Sequence, residues 1–494
     1  MTAPSPSRRP PYPIALILLG LALRLPGLLF NGMADPYQII FEWGAAVHRL
    51  GLVQAFGVNY GILSYAAYGV FEALAEWMPR FWWIPYKVGL IGFDLAACLA
   101  LVSLADPRDR KWVVILAWLN PWFILHGAYH GFWEGPHLLF GLLAVLALRR
   151  VRDERWAWAA AGALVMCSAM FKPQGLIHFA GPLGLYLGVQ WLRFVRRPLA
   201  WYLTGLLGVA GVTSLAIWAA GGSSLAVIDN FRSVFTSMAK MSNGGPGLWR
   251  FLSWAYMEAT GQPGLVLDMR ISRPALAAWN ALAGLLALAI IYAFSTRLGP
   301  VRRGAATAAP GWLARLVPAP AVRWPDARAT FIVLTLGTFV MSQFGPRAHI
   351  SHSYVAMVML VLFAVRDRVM RRLWATMCVM LGLAHLSTFQ FGGAVVFIGE
   401  SQWFRYPQAG PLIDSIRQLP AFTTPDALLT FQAAVNGYLA ALPGQRAISI
   451  MSLPVFFLAA AILWRLYSTL GDDDALSWRQ DVDGATARDL RPRV

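Results

Sequence analysis

A chain of 494 residues with 58% apolar and only 13% charged side chains cannot cover a water-exposed surface of its size. With a mean hydropathy of +0.54, that balance excludes a soluble enzyme, a disordered chain and a fibrous repeat, and points to a multi-pass membrane protein with room for roughly ten spans or more. The formal net charge of +17 lies mostly in short clusters between apolar runs, where the positive-inside rule puts it, so no nucleic-acid partner is expected.

In chain order, Arg8 and Arg9 precede a first apolar run from about residue 12 to 30. Arg24 interrupts this run and no small-residue cleavage site follows, so the run reads as an uncleaved first span. Further apolar segments lie near 82–105, 112–128, 136–148, 156–171, 175–192, 201–220, 275–295, 329–345, 352–364, 373–398 and 447–467. The expectation is therefore an all-α polytopic protein of about twelve transmembrane helices, within a range of 10–14. Cys98, Cys167 and Cys378 all fall inside apolar runs and read as small buried residues rather than a disulfide or metal framework.

The basic clusters fall on one side of this scheme. They are Arg108, Arg110 and Lys111; Arg149, Arg150, Arg152 and Arg155; Arg193, Arg196 and Arg197; and Arg366, Arg368, Arg371 and Arg372, joined by the stretch 297–328. That side is expected to be cytoplasmic, with both termini. The opposite intervals 31–81, 221–274 and 399–446 are long and weakly charged, and are rich in Trp, Tyr, Gly and Pro. Amphipathic pieces such as 68–78 read as external helices lying in the interface plane.

Ionisable groups at membrane depth are functional hypotheses in their own right. Asp35, just beyond the first run, reads either as a helix cap before Pro36 or as a general base at an external site. Glu42, seven residues on, shares its helical face and either assists it or is solvated. In 126–137, His126, His130 and Glu134 fall on one face of a continuous helix, with His137 beyond. Metal ligation, a substrate-pocket lining and interfacial packing are the three readings. Lys172, followed by Gln174 and His178, either snorkels to water or faces a phosphate. Lys87 reads as a snorkelling lysine, and Asp94 as the structural partner of another span. Arg347, His349, His352 and Tyr354 form an external cluster suited to phosphate. Arg232, Lys240, Arg250, Arg270 and Arg273 decorate the 221–274 loop, each more readily a surface residue than a site residue. A carboxylate and several external cations near the membrane boundary match displacement of a lipid phosphate by a hydroxyl.

At these residues the chain resembles the GT-C superfamily of polytopic glycosyltransferases that use polyprenyl-phosphate sugars. The likeness is to its bacterial mannosyltransferase-like branch, with an echo of the dolichyl-phosphoglucose-dependent glucosyltransferases. The resemblance rests on MADPYQIIFEW around Asp35, on NYGILSYAAYG (59–69), and on Lys87 and Asp94. It continues through LNPWFILHGAYHGFWEG (119–135), FKPQ at Lys172, SNGGPGLWRFL (242–252) and GPRAHISHSY (345–354).

The resemblance implies a GT-C-like transmembrane catalytic region over 11–398, between a cytoplasmic tail (1–10) and a last external loop and helix (399–467), with a polar cytoplasmic tail (468–494). It implies an inverting transfer of a hexose, with mannose the first expectation, from a polyprenyl-phosphate carrier to a glycolipid, glycan or protein acceptor. Asp35 would be the base. Lys172, Arg347 and His352 would meet the phosphate, and Glu42, Tyr60, His130, Glu134, Gln174, His349 and Tyr354 would line the substrate site. No cofactor or divalent metal is implied; membrane lipids are partners. The location implied is the bacterial inner membrane with an external active site. The rival reading is a transporter or flippase of a lipid-linked or anionic substrate, for which an inverted repeat would be expected.

Overall fold

The computed structural model describes residues 12–29, 36, 38–57, 60–192, 196–236, 245–261, 273–298, 327–345, 351–391, 445–470 and 475–478. The protein is all-α and largely membrane-embedded. Helix α1 (Ile14–Arg24) runs into a tight turn, Leu25–Leu29. A wide turn, Gln38–Gly44, leads into the short α2 (Ala45–Leu50), and α3 (Ile62–Trp77) follows. Next come α4 (Ile84–Leu104), α5 (Arg110–Trp118), α6 (Pro121–Tyr129), α7 (Gly135–Arg150), α8 (Glu154–Phe171), α9 (Leu176–Leu192) and α10 (Arg196–Ala219). Then α11 (Ala226–Thr236) and α12 (Leu248–Thr260) precede α13 (Arg273–Arg297) and α14 (Ala327–Phe344). The broken pair α15 (His352–Met359) and α16 (Val361–Arg366) leads to α17 (Arg368–Phe391) and α18 (Gln445–Thr469).

The expected count of about twelve spans is overturned. Among the described residues, four helices are long and apolar enough to cross a membrane: Ile84–Leu104, Arg197–Ala219, Ala327–Phe344 and Arg446–Thr469. A fifth crossing is added if α5 and α6, bent by 55° between them, act as one. The reason is length and interruption. The 16 residues of α7 rise only about 24 Å, short of a hydrocarbon core of about 30 Å. Helix α1 has 11 residues and ends on the buried Arg24, and α17 carries Arg368, Arg371 and Arg372 in its first turns. Helix α7 buries Leu138, Leu142, Val145 and Leu146 against other helices instead of presenting them along a full crossing.

The packing follows from small residues. Gly162 of α8 and Gly205 of α10 face the other helix's backbone, and a methyl on either would collide with a carbonyl of Tyr202 or Ala159. Such glycines let two membrane helices approach at backbone distance. Helix α10 also exposes Leu207, Val212, Leu215 and Trp218, a surface for lipid. Helix α3 likewise exposes Val70, Leu74 and Trp77 while burying Tyr65, Tyr68 and Phe71, as an interfacial helix does. The core proper combines α4 to α9 with α14 to α18, around Leu101, Phe123, Leu142, Phe339 and Leu362.

One end of this bundle is basic and clasped by ion pairs. Arg149 donates to the carbonyl of Leu104 at 3.3 Å. Arg366 bridges Asp106 and Asp109, and Ser477 donates to Asp109 and, through its amide, to Leu362 at 2.8 Å. Asp367 accepts from Arg465 at 2.5 Å and from the amides of Val369 and Met370. Burial alone would raise the Asp367 carboxyl, but the Arg465 and amide hydrogen bonds outweigh it and hold it below the ordinary carboxylate value. A carboxylate depressed in the folded state adds stability above its unfolded pKa, about 3.9, and loses it as pH falls through the folded value. Acidification below about pH 4 should therefore lower the thermal midpoint of the wild type more than that of Asp367→Asn, as read by unfolding in detergent.

Candidate functional site

The other end of the bundle holds the polar residues that spanning does not explain. Helix α8 stops at Phe171 because Pro173 cannot continue it. Lys172, the residue before that proline, is extended, with φ −138° and ψ 115°. Its side chain turns inward to pair with Glu134, the residue at the N-terminus of α7, where a carboxylate also suits the helix dipole. Both partners are buried, Lys172 being 6% and Glu134 0% exposed. Lys172 does not snorkel.

Two further segments close on this pair. The amide of Gly61 donates to the carbonyl of Phe171 at 3.1 Å, and the Ser64 hydroxyl donates to the same carbonyl at 2.6 Å. Tyr60 is thereby held with its ring 5.8 Å from the Lys172 ammonium. Trp43 lies 5.2 Å from Tyr60, both half-buried, and the fully buried Trp133 donates to Ser64 at 2.7 Å, so aromatic rings border the ion pair. Asn230 of α11 donates to the carbonyls of Gly57 and Tyr60, which ties the 221–274 region to the 31–81 region.

Behind Glu134 runs a histidine chain. The Ser168 hydroxyl donates to the carbonyl of His137 at 3.0 Å, while its oxygen lies 2.6 Å from His137 Nδ1. With its proton committed, that oxygen accepts, so His137 carries its proton on Nδ1 when neutral. His137 Nε2 then accepts from His178 Nδ1, 3.1 Å away, which leaves a lone pair on His178 Nε2. His352 lies next in line, its ring 5.7 Å from that of His178. Gln174 sits in the turn after Lys172, half-buried, and its Oε1 accepts no hydrogen bond from the described residues.

The expected His126, His130 and Glu134 face does not form. The chain turns at Gly131, whose φ of +81° ends the helix, and sends Glu134 to Lys172 and His130 elsewhere. His126 and His130 instead gather with His385, at ring separations of 5.3 and 5.1 Å. Trp122 donates to His385 Nδ1 at 2.7 Å. Tyr354 stacks on His126 at 4.1 Å and donates to Asp94 at 3.0 Å. The partner of Asp94 is thus a residue of α15, with Arg24 stacked on Trp118 close by. Lys87, expected to snorkel, is fully buried and donates to the carbonyls of Gly27, Ala128 and Tyr129. Turns at the ends of α1 and α6 leave those carbonyls without helical partners.

Four of the expected site residues therefore converge: Tyr60, Glu134, Lys172 and, through His178, His352. Gln174 borders them. His130 and Tyr354 belong to the neighbouring aromatic–histidine cluster, and Glu42 is exposed. Asp35, Arg347 and His349 lie outside the described residues, as do Lys240 and Arg270 among the loop cations. Pro36, one residue beyond Asp35, is buried against Gly131. Arg232 is exposed, whereas Arg250, expected at the surface, is 2% exposed and donates to Ser449 at 3.3 Å. Burial pulls its guanidinium down to about 10. His385 was missed because nothing near it in sequence marks it; Ser168 was missed as an ordinary small residue of an apolar helix. No family model matches the chain, and no curated protein does.

Proposed function

We propose that the protein is an inverting glycosyltransferase. It moves a hexose, mannose first among the candidates, from a polyprenyl-phosphate carrier to a hydroxyl of a glycolipid, glycan or protein. The observation that carries this reading is the convergence of Tyr60, Glu134, Lys172 and His352 from separate segments, at the end of the bundle opposite the basic clasp. In this reading the basic clasp faces the cytoplasm, as the positive-inside rule favours, and the Lys172 end lies on the external face of a bacterial inner membrane. The order of the sequence elements also resembles that of polyprenyl-phosphate-sugar glycosyltransferases.

In this reading the acceptor oxygen attacks the anomeric carbon and its proton passes to the Asp35 carboxylate. The bond from that carbon to the phosphate oxygen breaks, and polyprenyl phosphate leaves with the electron pair. Lys172 has three N–H donors, and Glu134 takes one; the others, with Arg347 and His352, stabilise charge on the departing phosphate. Trp43 and Tyr60 offer ring faces to the sugar. Glu134 holds Lys172 in place until the phosphate arrives.

The test is to incubate the purified protein with radiolabelled polyprenyl-phosphate sugars and membrane acceptors. Arg347→Gln should weaken donor use at least about tenfold, the scale of one lost charge-assisted contact, and Arg371→Gln should change it little. Equal effects would contradict the division between phosphate contact and topology signal. A transporter or flippase remains the second reading, favoured by the 55° break between α5 and α6, since broken helices build transporter sites. Movement of intact lipid across vesicles without sugar transfer would select it.

A further inference from the structure

Away from the Lys172 site, α2 and α3 bring three ligating side chains together. Glu72 and Glu76 stand one turn apart on α3, and His48 reaches across from α2 with Nδ1 3.3 Å from Glu72 Oε2. One ligand atom from each residue lies within 4.8 Å of the other two. Glu72 is the second observation. It is 8% exposed, and its Oε2 is buried without a hydrogen bond despite the nearby imidazole. His48 Nδ1 and Glu72 Oε2 stand at ion-pair distance, and that separation is also the spacing of neighbours on one ion, because metal–ligand bonds of about 2.0–2.2 Å put neighbouring ligand atoms about 3.3–3.6 Å apart.

The charges facing Glu72 support this. The buried Glu72 carboxylate stands one turn from the Glu76 carboxylate on α3. Arg49 is turned back onto its own helix, donating to the carbonyl of Ala45. A carboxylate drawn out of water beside a second one is costly, and a divalent cation relieves that cost.

We propose that His48, Glu72 and Glu76 bind a divalent first-row metal ion of the Zn²⁺ class, which clamps α2 onto α3. One imidazole nitrogen and two carboxylate oxygens suit such an ion, with water completing the tetrahedron. Glu76, exposed at the surface, swings in to close the remaining distance. The role is structural. Helix α3 carries Ser64, which fixes the Tyr60 segment against Phe171, so the clamp stiffens one wall of the Lys172 site without entering it.

The experiment titrates the full chain, in lipid nanodiscs with any purification tag removed, with Co²⁺ as the spectroscopic probe and Zn²⁺ as competitor. One equivalent of Co²⁺ should bind with tetrahedral visible absorption and be displaced by Zn²⁺. His48→Ala and Glu76→Gln, both exposed positions that leave the buried Glu72 in place, should each weaken binding at least about tenfold, the scale of disturbed metal sites. Binding equal in wild type and both variants, loss in only one of them, or no binding at all would overturn the three-ligand site. Sugar transfer is not the readout, so failure here is distinguishable from failure of the proposed activity.

Discussion

Replacing Lys172 with methionine should destabilise the protein by about 3–5 kcal/mol, the effect expected when one partner of a buried ion pair is removed. Glu134, fully buried, would be left as an uncompensated charge at the start of α7. Glu134→Gln should cost a comparable amount by stranding the ammonium. The double variant Lys172→Met/Glu134→Gln should recover much of the loss, because replacing both charges removes the desolvation penalty along with the attraction. Thermal unfolding of the four proteins in one detergent gives the cycle directly. Additive losses would show that the two side chains do not act as a pair. The recovered double variant should still be inactive, since the cation proposed to face the phosphate is gone.

The second large effect concerns Asp35. Asp35→Asn keeps the shape of the side chain and removes its basicity, so sugar transfer should fall by about 10²–10⁴-fold, the usual contribution of a positioned general base. The loss should appear in kcat, with donor KM unchanged, because a general base acts in the chemical step rather than in donor binding. Transfer undiminished in the variant would remove Asp35 from the mechanism and shift attention to the lone pair on His178 Nε2 as another base at this end.

The helical class, the basic clusters and the polar residues unsuited to spanning were legible because each is a local property of composition. Arg149 and Arg366 lie at one end of the bundle and Lys172, Glu134 and Tyr60 at the other, but the pairing of Glu134 with Lys172 was not legible, because the spacing grouped Glu134 with His126 and His130. The span count was not legible. Hydropathy treats an apolar residue facing lipid and one facing protein alike, yet 78% of the Ala327–Phe344 window is buried inside the protein and only 17% of the Arg197–Ala219 window is. Nor were the long-range pairings. Tyr354 with Asp94 and Trp122 with His385 are each separated by more than 250 residues, and no periodicity connects them. The His126, His130 and Glu134 spacing misled because it assumed a continuous helix through Gly131, where the backbone is left-handed.

The most direct measurement follows both halves of the donor at once. Purified protein in liposomes receives a polyprenyl-phosphate hexose of defined anomeric configuration, labelled separately in sugar and lipid, together with membrane acceptors. The account predicts one polyprenyl phosphate released for each sugar transferred, with the product glycoside inverted at the anomeric carbon. Retained configuration, or labelled donor crossing the bilayer intact with no glycoside formed, would contradict it.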